Sequence, residues 1–233
     1  SDALAASPAP AMAQLPTVHL FPPTTCSRRV LMCLAELGCK EGSEFAINLV
    51  STTGPNKSAA HLRLQPFGKI PAWQEGDWVL YESLAICEYL CARFPGAAAD
   101  KLLPPPGRPR AEVHQWVSVE ATELRPHALK PYIQRVLKPM KGLGAPDEGI
   151  VQEGRRGATP ALDVLDAHLA ASGRSYLAGA DFTLADLGFV PYLHALCDAG
   201  CADLLEARPS LHAWFERCRA RPSWQAVVAM PAR

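Results

Sequence analysis

The sequence predicts an α/β domain followed by an all-α domain, and three observations carry that prediction. Over the first part, short β-branched or alternating runs interleave with segments of helical period. Beyond Arg108 no convincing strand-like alternation recurs. Between the two lies "FPGAAADKLLPPPGRPRAE", dense in proline and glycine, with Pro104, Pro105 and Pro106 in a row. A chain of 233 residues is long enough for two compact domains. We place a sheet-and-helix domain at 16–94, a linker at 95–109 and a helical domain at 110–230. Residues 1–15, rich in alanine and proline and without periodicity, are left out of the fold as a disordered or tag-derived segment. It either precedes a start at Met12 or is what remains of an organelle-targeting extension. It has no arginine and no apolar core of signal-peptide length, so secretion is not expected.

Each element then follows in order. "TVHL" (17–20) is short and β-branched and reads as a strand. From Thr25 to Leu37, Val30, Leu31, Leu34 and Leu37 recur at helical spacing, and Gly38 ends that helix. "EFAINL" (44–49) alternates as a second strand, completing a β-α-β unit. A short polar helix is expected around 57–64. "KIPAW" and "DWVLY" read as two brief strands joined through "QEGD", whose Gly76 and Asp77 suit a hairpin turn. Residues 82–94 form an amphipathic helix with Leu84, Ile86, Tyr89 and Leu90. The second half predicts helices at 111–136, 151–171, 184–199 and 211–220. In "DFTLAD", Thr183 is placed as an N-cap, Asp186 as its acidic capping-box partner and Phe182 as a staple residue.

Composition excludes several classes of partner. Lysine plus arginine equals aspartate plus glutamate, 23 each, so no global field favours nucleic acid or an anionic membrane surface. Apolar windows such as Leu84 to Cys87 fall far short of the roughly 20 residues of a membrane helix. The eight cysteines contain no C-x-x-C pair and lie in apolar periodic segments. They read as reduced core residues in a reducing compartment, not as a zinc site, although Cys87/Cys91 and Cys197/Cys201 have helical spacing. His114, His127 and His194 sit in helical segments and need no catalytic role.

Two local features point to a binding site. Pro71, at the start of the third strand, lacks a ladder donor; a cis Ile70–Pro71 bond would present the backbone of Ile70 to an extended peptide. Directly after the hairpin, "YESLAI" puts Glu82 and Ser83 at a helix start, where free N–H groups and a hydroxyl suit a carboxylate.

"QPFGKIPAW" followed by "LYESLAICEYL" resembles the thioredoxin-like, glutathione-binding domain of the cytosolic glutathione transferases. "TTCSRRV", "WVSVEATELRPH", "VLKPMKGL", "YLAGADFTLADLGFVPYLHAL" and "RPSLHAWFERCRARPSWQAVVAM" are similar to the plant and algal phi class, and the resemblance runs from Thr17 to Met230. It implies a thioredoxin-like domain followed by an α-helical bundle, and an enzyme that activates the glutathione thiol for attack on apolar electrophiles, with organic hydroperoxides as a second substrate class. Glutathione is a co-substrate, no cofactor or metal is implied, and the family pairs as homodimers. A cytoplasmic location is expected, with a plastid as the alternative.

The resemblance also implies roles. Thr24, six residues before Val30, stands where phi members carry a catalytic serine. Thr24 and Ser27 occupy the two places of a redox C-x-x-C pattern, and Cys26 lies two residues into the helix. Threonine keeps the hydroxyl donor, but its β-branch restricts how it can be aimed. Lowering a thiol pKa by about two units takes roughly 2.7 kcal/mol. One hydrogen bond to a charged group, about 1.5 to 3 kcal/mol, plus a helix N-terminus, about 0.3 to 1, suffices without a general base. Ile70, ahead of Pro71, is expected to pair with the cysteinyl backbone, and Glu82 and Ser83 to hold the γ-glutamyl end. Asn56 stands where the family often has histidine, followed by Lys57, and Lys69 stands where many members have glutamine; both lysines are placed toward the glycine carboxylate. Pro23, Leu124, Ala128 and Tyr192 are placed around the apolar second substrate. Two other readings compete: Cys26 as nucleophile for thiol–disulfide exchange, and a non-catalytic ligand carrier or assembly module of the same fold.

Overall fold

The computed structural model describes residues 15–231. The reading of residues 1–15 therefore lies, Leu15 apart, outside the described residues. The first half runs β1 (Thr17–Leu20), α1 (Thr25–Glu36), β2 (Ala46–Leu49), α2 (Ala59–Leu64), β3 (Ala72–Glu75), β4 (Trp78–Tyr81) and α3 (Ser83–Arg93). The strands form one mixed sheet in the order β2-β1-β3-β4. β1 is parallel to β2, with Val18 beside Ile47, and antiparallel to β3, with Val18 beside Trp73. β3 and β4 form a hairpin closed by Glu75 opposite Trp78, so Gly76 and Asp77 make the turn. This is a thioredoxin-like domain. The third strand begins only after Pro71, and the second is two residues shorter than its alternation predicted.

The predicted linker is partly helical. Ala97–Leu102 forms α4, which buries Ala99 and Leu102; three successive alanines favour a helix strongly enough to hold one between the flanking prolines. The helical half follows with α5 (Arg108–Val119), α6 (Arg125–Tyr132), α7 (Lys138–Met140), α8 (Glu148–Ser172), α9 (Leu184–Asp198), α10 (Asp203–Glu206), α11 (Pro209–Arg219) and α12 (Pro222–Val228). The short α10 and α12 were not anticipated. α5, α6 and α7 are one continuous rod joined by π-helical turns at Glu120–Leu124 and Ile133–Leu137. Pro126 and Pro131 cannot donate the backbone bonds of a regular α-helix, so the ladder lapses around them.

One apolar core crosses both halves. Val18, Val30, Trp73, Ile86 and Leu90 of the first half and Phe189, Leu193 and Trp214 of the second are all fully buried in it. α1 packs against α3 of its own half and against α9 and α12 of the helical half. At its C-terminal end the Glu36 carboxylate accepts from Arg221 Nε and Nη2 at 2.6 and 2.7 Å. The helix start at Thr183 is built as expected: its hydroxyl accepts from Ala185 N–H, and buried Asp186 accepts from Thr183 N–H at 2.9 Å and Trp214 Nε1 at 2.9 Å. Among the described residues no helix is long and apolar enough to cross a membrane.

Candidate functional site

Three segments converge beside α6: the N-terminus of α1, the turn entering β3 and the N-terminus of α3. Thr24 is the N-cap residue of α1 in extended conformation, yet its side chain does not cap the helix. Its Oγ1 lies 3.0 Å from Phe21 O and 2.7 Å from Ser27 Oγ. The first N–H groups of α1 are thus left without an intrahelical partner, at the positive end of the helix dipole. Two residues on, Cys26 Sγ lies 3.2 Å from the hydroxyl of Tyr192.

The turn into β3 is fixed from several sides. The Ile70–Pro71 peptide bond is cis. Asn56 Nδ2 donates to Gly68 O at 2.8 Å, Lys57 Nζ to Phe67 O at 2.9 Å, and Lys69 N–H to Gln65 Oε1 at 2.9 Å. Gly68 has φ +61°, and a Cβ there would stand 2.6 Å from the Lys57 stem, so this tight approach requires glycine.

Glu82 is the N-cap residue of α3 and the one described non-glycine residue with positive φ, at +72°. Such a conformation costs about 1–3 kcal/mol and persists where surrounding structure enforces it. Its carboxylate does not cap α3 and is free for a ligand. Ser83 is buried and accepts a hydrogen bond from Arg29 Nη1 at 3.0 Å. Arg29 is itself wholly buried, donates to Gly188 O at 2.8 Å and meets Glu120 Oε2 at 2.8 Å. Burial works against the Arg29 charge, but Glu120 prevails and raises its pKa. Burial pushes the Glu120 carboxyl up, opposed by Arg29 and Arg125.

These elements enclose a cavity of about 210 Å³, lined by Cys26, Gln65, Lys69, Ile70, Pro71, Glu82, Ser83, Arg125, Leu129 and Tyr192. Two cations and one carboxylate face it, beside an apolar wall from α6 and α9. The chain as a whole matches known family models: that of the glutathione S-transferase N-terminal domain over residues 25–93, and that of the C-terminal domain over residues 148–217. The chain belongs to the glutathione transferase family.

Its likeness within that family is to phi-class transferases. It is 39% identical to glutathione S-transferase 3 of Zea mays over 196 residues, 82% of this chain and 84% of that one. To glutathione S-transferase F10 of Arabidopsis thaliana it is 34% identical, over 87% of this chain and 92% of the relative. Among solved structures, glutathione transferase F7 of Populus trichocarpa superposes with TM-score 0.83 at 32% identity, covering 92% of this chain and 98% of that one. A glutathione S-transferase-I bound to lactoylglutathione superposes with TM-score 0.80 at 31% identity, covering 92% and 99%.

Not every residue anticipated for the site lines this cavity. Lys69, Ile70, Pro71, Glu82, Ser83 and Tyr192 do. Asn56 and Lys57 do not line it; their donors are spent on the turn itself. Thr24 does not line it either, whereas Cys26 does. Leu124 and Ala128 are fully buried core residues, and their neighbours Arg125 and Leu129 stand in the wall instead. Leu124 closes the π turn Glu120–Leu124, where the wider winding changes which side chains face inward relative to a regular α-helix. Pro23 contributes its carbonyl, which accepts from the Tyr132 hydroxyl at 3.3 Å. Gln65, Arg125, Leu129 and the buried pair Arg29–Glu120 escaped the sequence reading. Arg29 carried a signal, since it shares a helix face with Cys26 and Cys33 at 3- and 4-residue spacing.

Proposed function

We propose that the protein conjugates glutathione to apolar electrophilic small molecules, and that it also reduces organic hydroperoxides, two glutathione molecules leaving as the disulfide with an alcohol and water. The charge pattern of the cavity carries this reading. Lys69 and Arg125 oppose the single carboxylate of Glu82, which complements a tripeptide bearing two carboxylates and one ammonium group. In this reading Glu82 receives the ammonium and Ser83, with the free N–H groups of α3, the carboxylate of the γ-glutamyl end. The backbone of Ile70 pairs with the cysteinyl unit, and Lys69 faces the glycine carboxylate. Asn56 and Lys57 serve by holding the turn that carries Lys69.

The thiol then lies at the N-terminus of α1, where Thr24 donates to the thiolate. In the free protein Thr24 Oγ1 donates to Phe21 O or Ser27 Oγ; once its proton is redirected to sulfur, Ser27 Oγ, which accepts from Phe21 N–H at 3.3 Å, can donate its own proton to Thr24 Oγ1 in turn. No base is needed, because the reaction requires only that the thiolate be favoured over the thiol. Leu129, Tyr192 and Pro23 border the electrophile.

One observation favours a second reading. Cys26, not Thr24, stands in the cavity wall, where it could exchange disulfides with a bound glutathionyl group. The deciding experiment is conjugation of glutathione to an activated aryl halide as a function of pH, in wild type, Thr24→Ala and Cys26→Ala. The hydroxyl mechanism requires a rate loss and an upward shift of the apparent thiol pKa in Thr24→Ala alone. A loss confined to Cys26→Ala moves the chemistry to the cysteine, and glutathione binding without turnover in wild type identifies a carrier.

We further propose a homodimer in the cytoplasm. Phe67, 61% exposed, packs edge-on to Tyr81 on the protruding turn and offers an apolar anchor for a second subunit. The eight cysteines are unpaired, as a reducing compartment permits.

A further inference from the structure

We propose that Arg29 is a positioning residue for glutathione, which fixes the hydroxyl of Ser83 as a donor to the γ-glutamyl carboxylate and draws on the helical domain to do so. The proposal rests on reading the cavity as the glutathione site. Arg29 and Glu120 are both fully buried, and a buried ion pair is seldom more stable than apolar side chains of the same volume. This pair is also imperfect, since Arg29 Nε lacks a hydrogen-bond partner. Folding alone gives little reason for a charge there.

The geometry supplies another reason. A guanidinium only donates, so the Arg29 Nη1 bond to Ser83 Oγ, 3.0 Å long, occupies a lone pair of that oxygen. The serine proton is thereby turned away from Arg29, and the side of Ser83 left to it faces the cavity. An adjacent buried cation also strengthens the hydroxyl as a donor to an anion. Without Arg29 the hydroxyl would rotate freely and offer lone pairs as readily as its proton.

Arg29 is held for this task from the helical domain. Gly188 O accepts from its Nη2 at 2.8 Å, and Glu120 Oε2 stands 2.8 Å from the same nitrogen. Glu120 Oε1 in turn lies 3.7 Å from Nε of Arg125, which also lines the cavity. A polar chain therefore joins lining residues of the two domains, Arg125 to Glu120 to Arg29 to Ser83.

The test is a double-mutant cycle on glutathione affinity. The pair is removed together, Arg29→Met with Glu120→Leu, so that neither of the two fully buried charges is left alone, and is combined with Ser83→Ala; Arg125, which loses Glu120, is part-exposed to solvent. Glutathione binding is measured by calorimetry and conjugation is followed with glutathione and with cysteinylglycine, which lacks the γ-glutamyl unit. We expect Kd and KM for glutathione to rise about tenfold with kcat at saturation little changed, use of cysteinylglycine unaltered, and no further loss when Ser83→Ala is added. Arg29→Lys, which keeps the charge but cannot make the three contacts, reads the same effect if the pair variant does not fold. A variant with a lowered melting temperature but wild-type affinity overturns the proposal, as do losses that add to those of Ser83→Ala or that extend equally to cysteinylglycine. Wild type that binds no glutathione would instead overturn the reading of the cavity itself.

Discussion

Replacing Thr24 by serine should raise activity, and the structure sets the size of the gain. In the free protein Thr24 Oγ1 lies against Phe21 O at 3.0 Å and Ser27 Oγ at 2.7 Å. To donate to a thiolate it must turn away from one of these, giving up a neutral hydrogen bond worth about 0.5–1.5 kcal/mol net. Serine bears that cost too. Threonine carries a second one, because turning Oγ1 sweeps its methyl group across a half-buried site and restricts χ1 to few rotamers. An off-rotamer side chain costs about 0.5–1.5 kcal/mol, so relief should raise kcat/KM about twofold to tenfold at pH values below the thiol pKa. The same energy should lower the pKa of bound glutathione by about 0.4–1 unit. Ultraviolet titration of the bound thiolate and a pH–rate profile measure both. Unchanged or lower values of both in Thr24→Ser would refute the argument, since hydroxyl orientation would then not limit thiolate formation.

Two further predictions concern the scaffold that holds the site. Gly154 lets α8 approach α6 closely: a Cβ there would stand 2.5 Å from Pro131 Cδ and 2.8 Å from His127 O. Gly154→Ala should cost about 1–3 kcal/mol, seen as a melting temperature lower by about 2–4 °C per kcal/mol, whereas an unchanged melt would show that the helices part freely. His19 joins three strands, accepting from Asn48 Nδ2 at Nδ1 (2.8 Å) and donating from Nε2 to Gln74 Oε1 (2.9 Å). Burial lowers its pKa below the ordinary 6.5, against the Gln74 bond, with the His61 charge adding to the fall. The unfolded chain therefore takes up the proton first. The contribution of His19 to stability is full above 6.5 and is lost as pH falls through 6.5 toward the depressed value. Denaturant midpoints on either side of that pH should show a loss in wild type that shrinks in His19→Asn; equal losses would place the titration elsewhere.

The elements legible in the sequence were those whose signal is local. Thr183 and Asp186 announce a helix start because both partners of the cap lie within one turn. Glu82 and Ser83 were legible because they open a helix directly after a strand. Long-range geometry was not. On the helix that begins at Arg125 the resemblance pointed to Leu124 and Ala128, which the fold buries completely, while Arg125 and Leu129 line the cavity; a resemblance carries residue positions but not the local twist of a helix entered through a π turn. Lys57 looked like a ligand for an anion, yet its ammonium group is taken by Phe67 O, ten residues away. Residue type predicts that a lysine needs an acceptor, not which one the fold brings nearest.

α1 explains why so much of the site depends on one helix. Thr24 at its N-cap faces the reacting sulfur in the proposed mechanism, Arg29 within the helix grips Ser83 and Glu120, and Glu36 at its end holds Arg221 and Ser223 of the helical domain. Between those polar contacts Val30, Met32, Cys33 and Leu34 are fully or almost fully buried. Two domains joined by a small polar interface would be expected to move relative to each other. Here the shared element is packed from both domains into one continuous core. The proposed thiolate site and the proposed electrophile wall therefore share one packed core, which favours a geometry preorganised before the reactants bind.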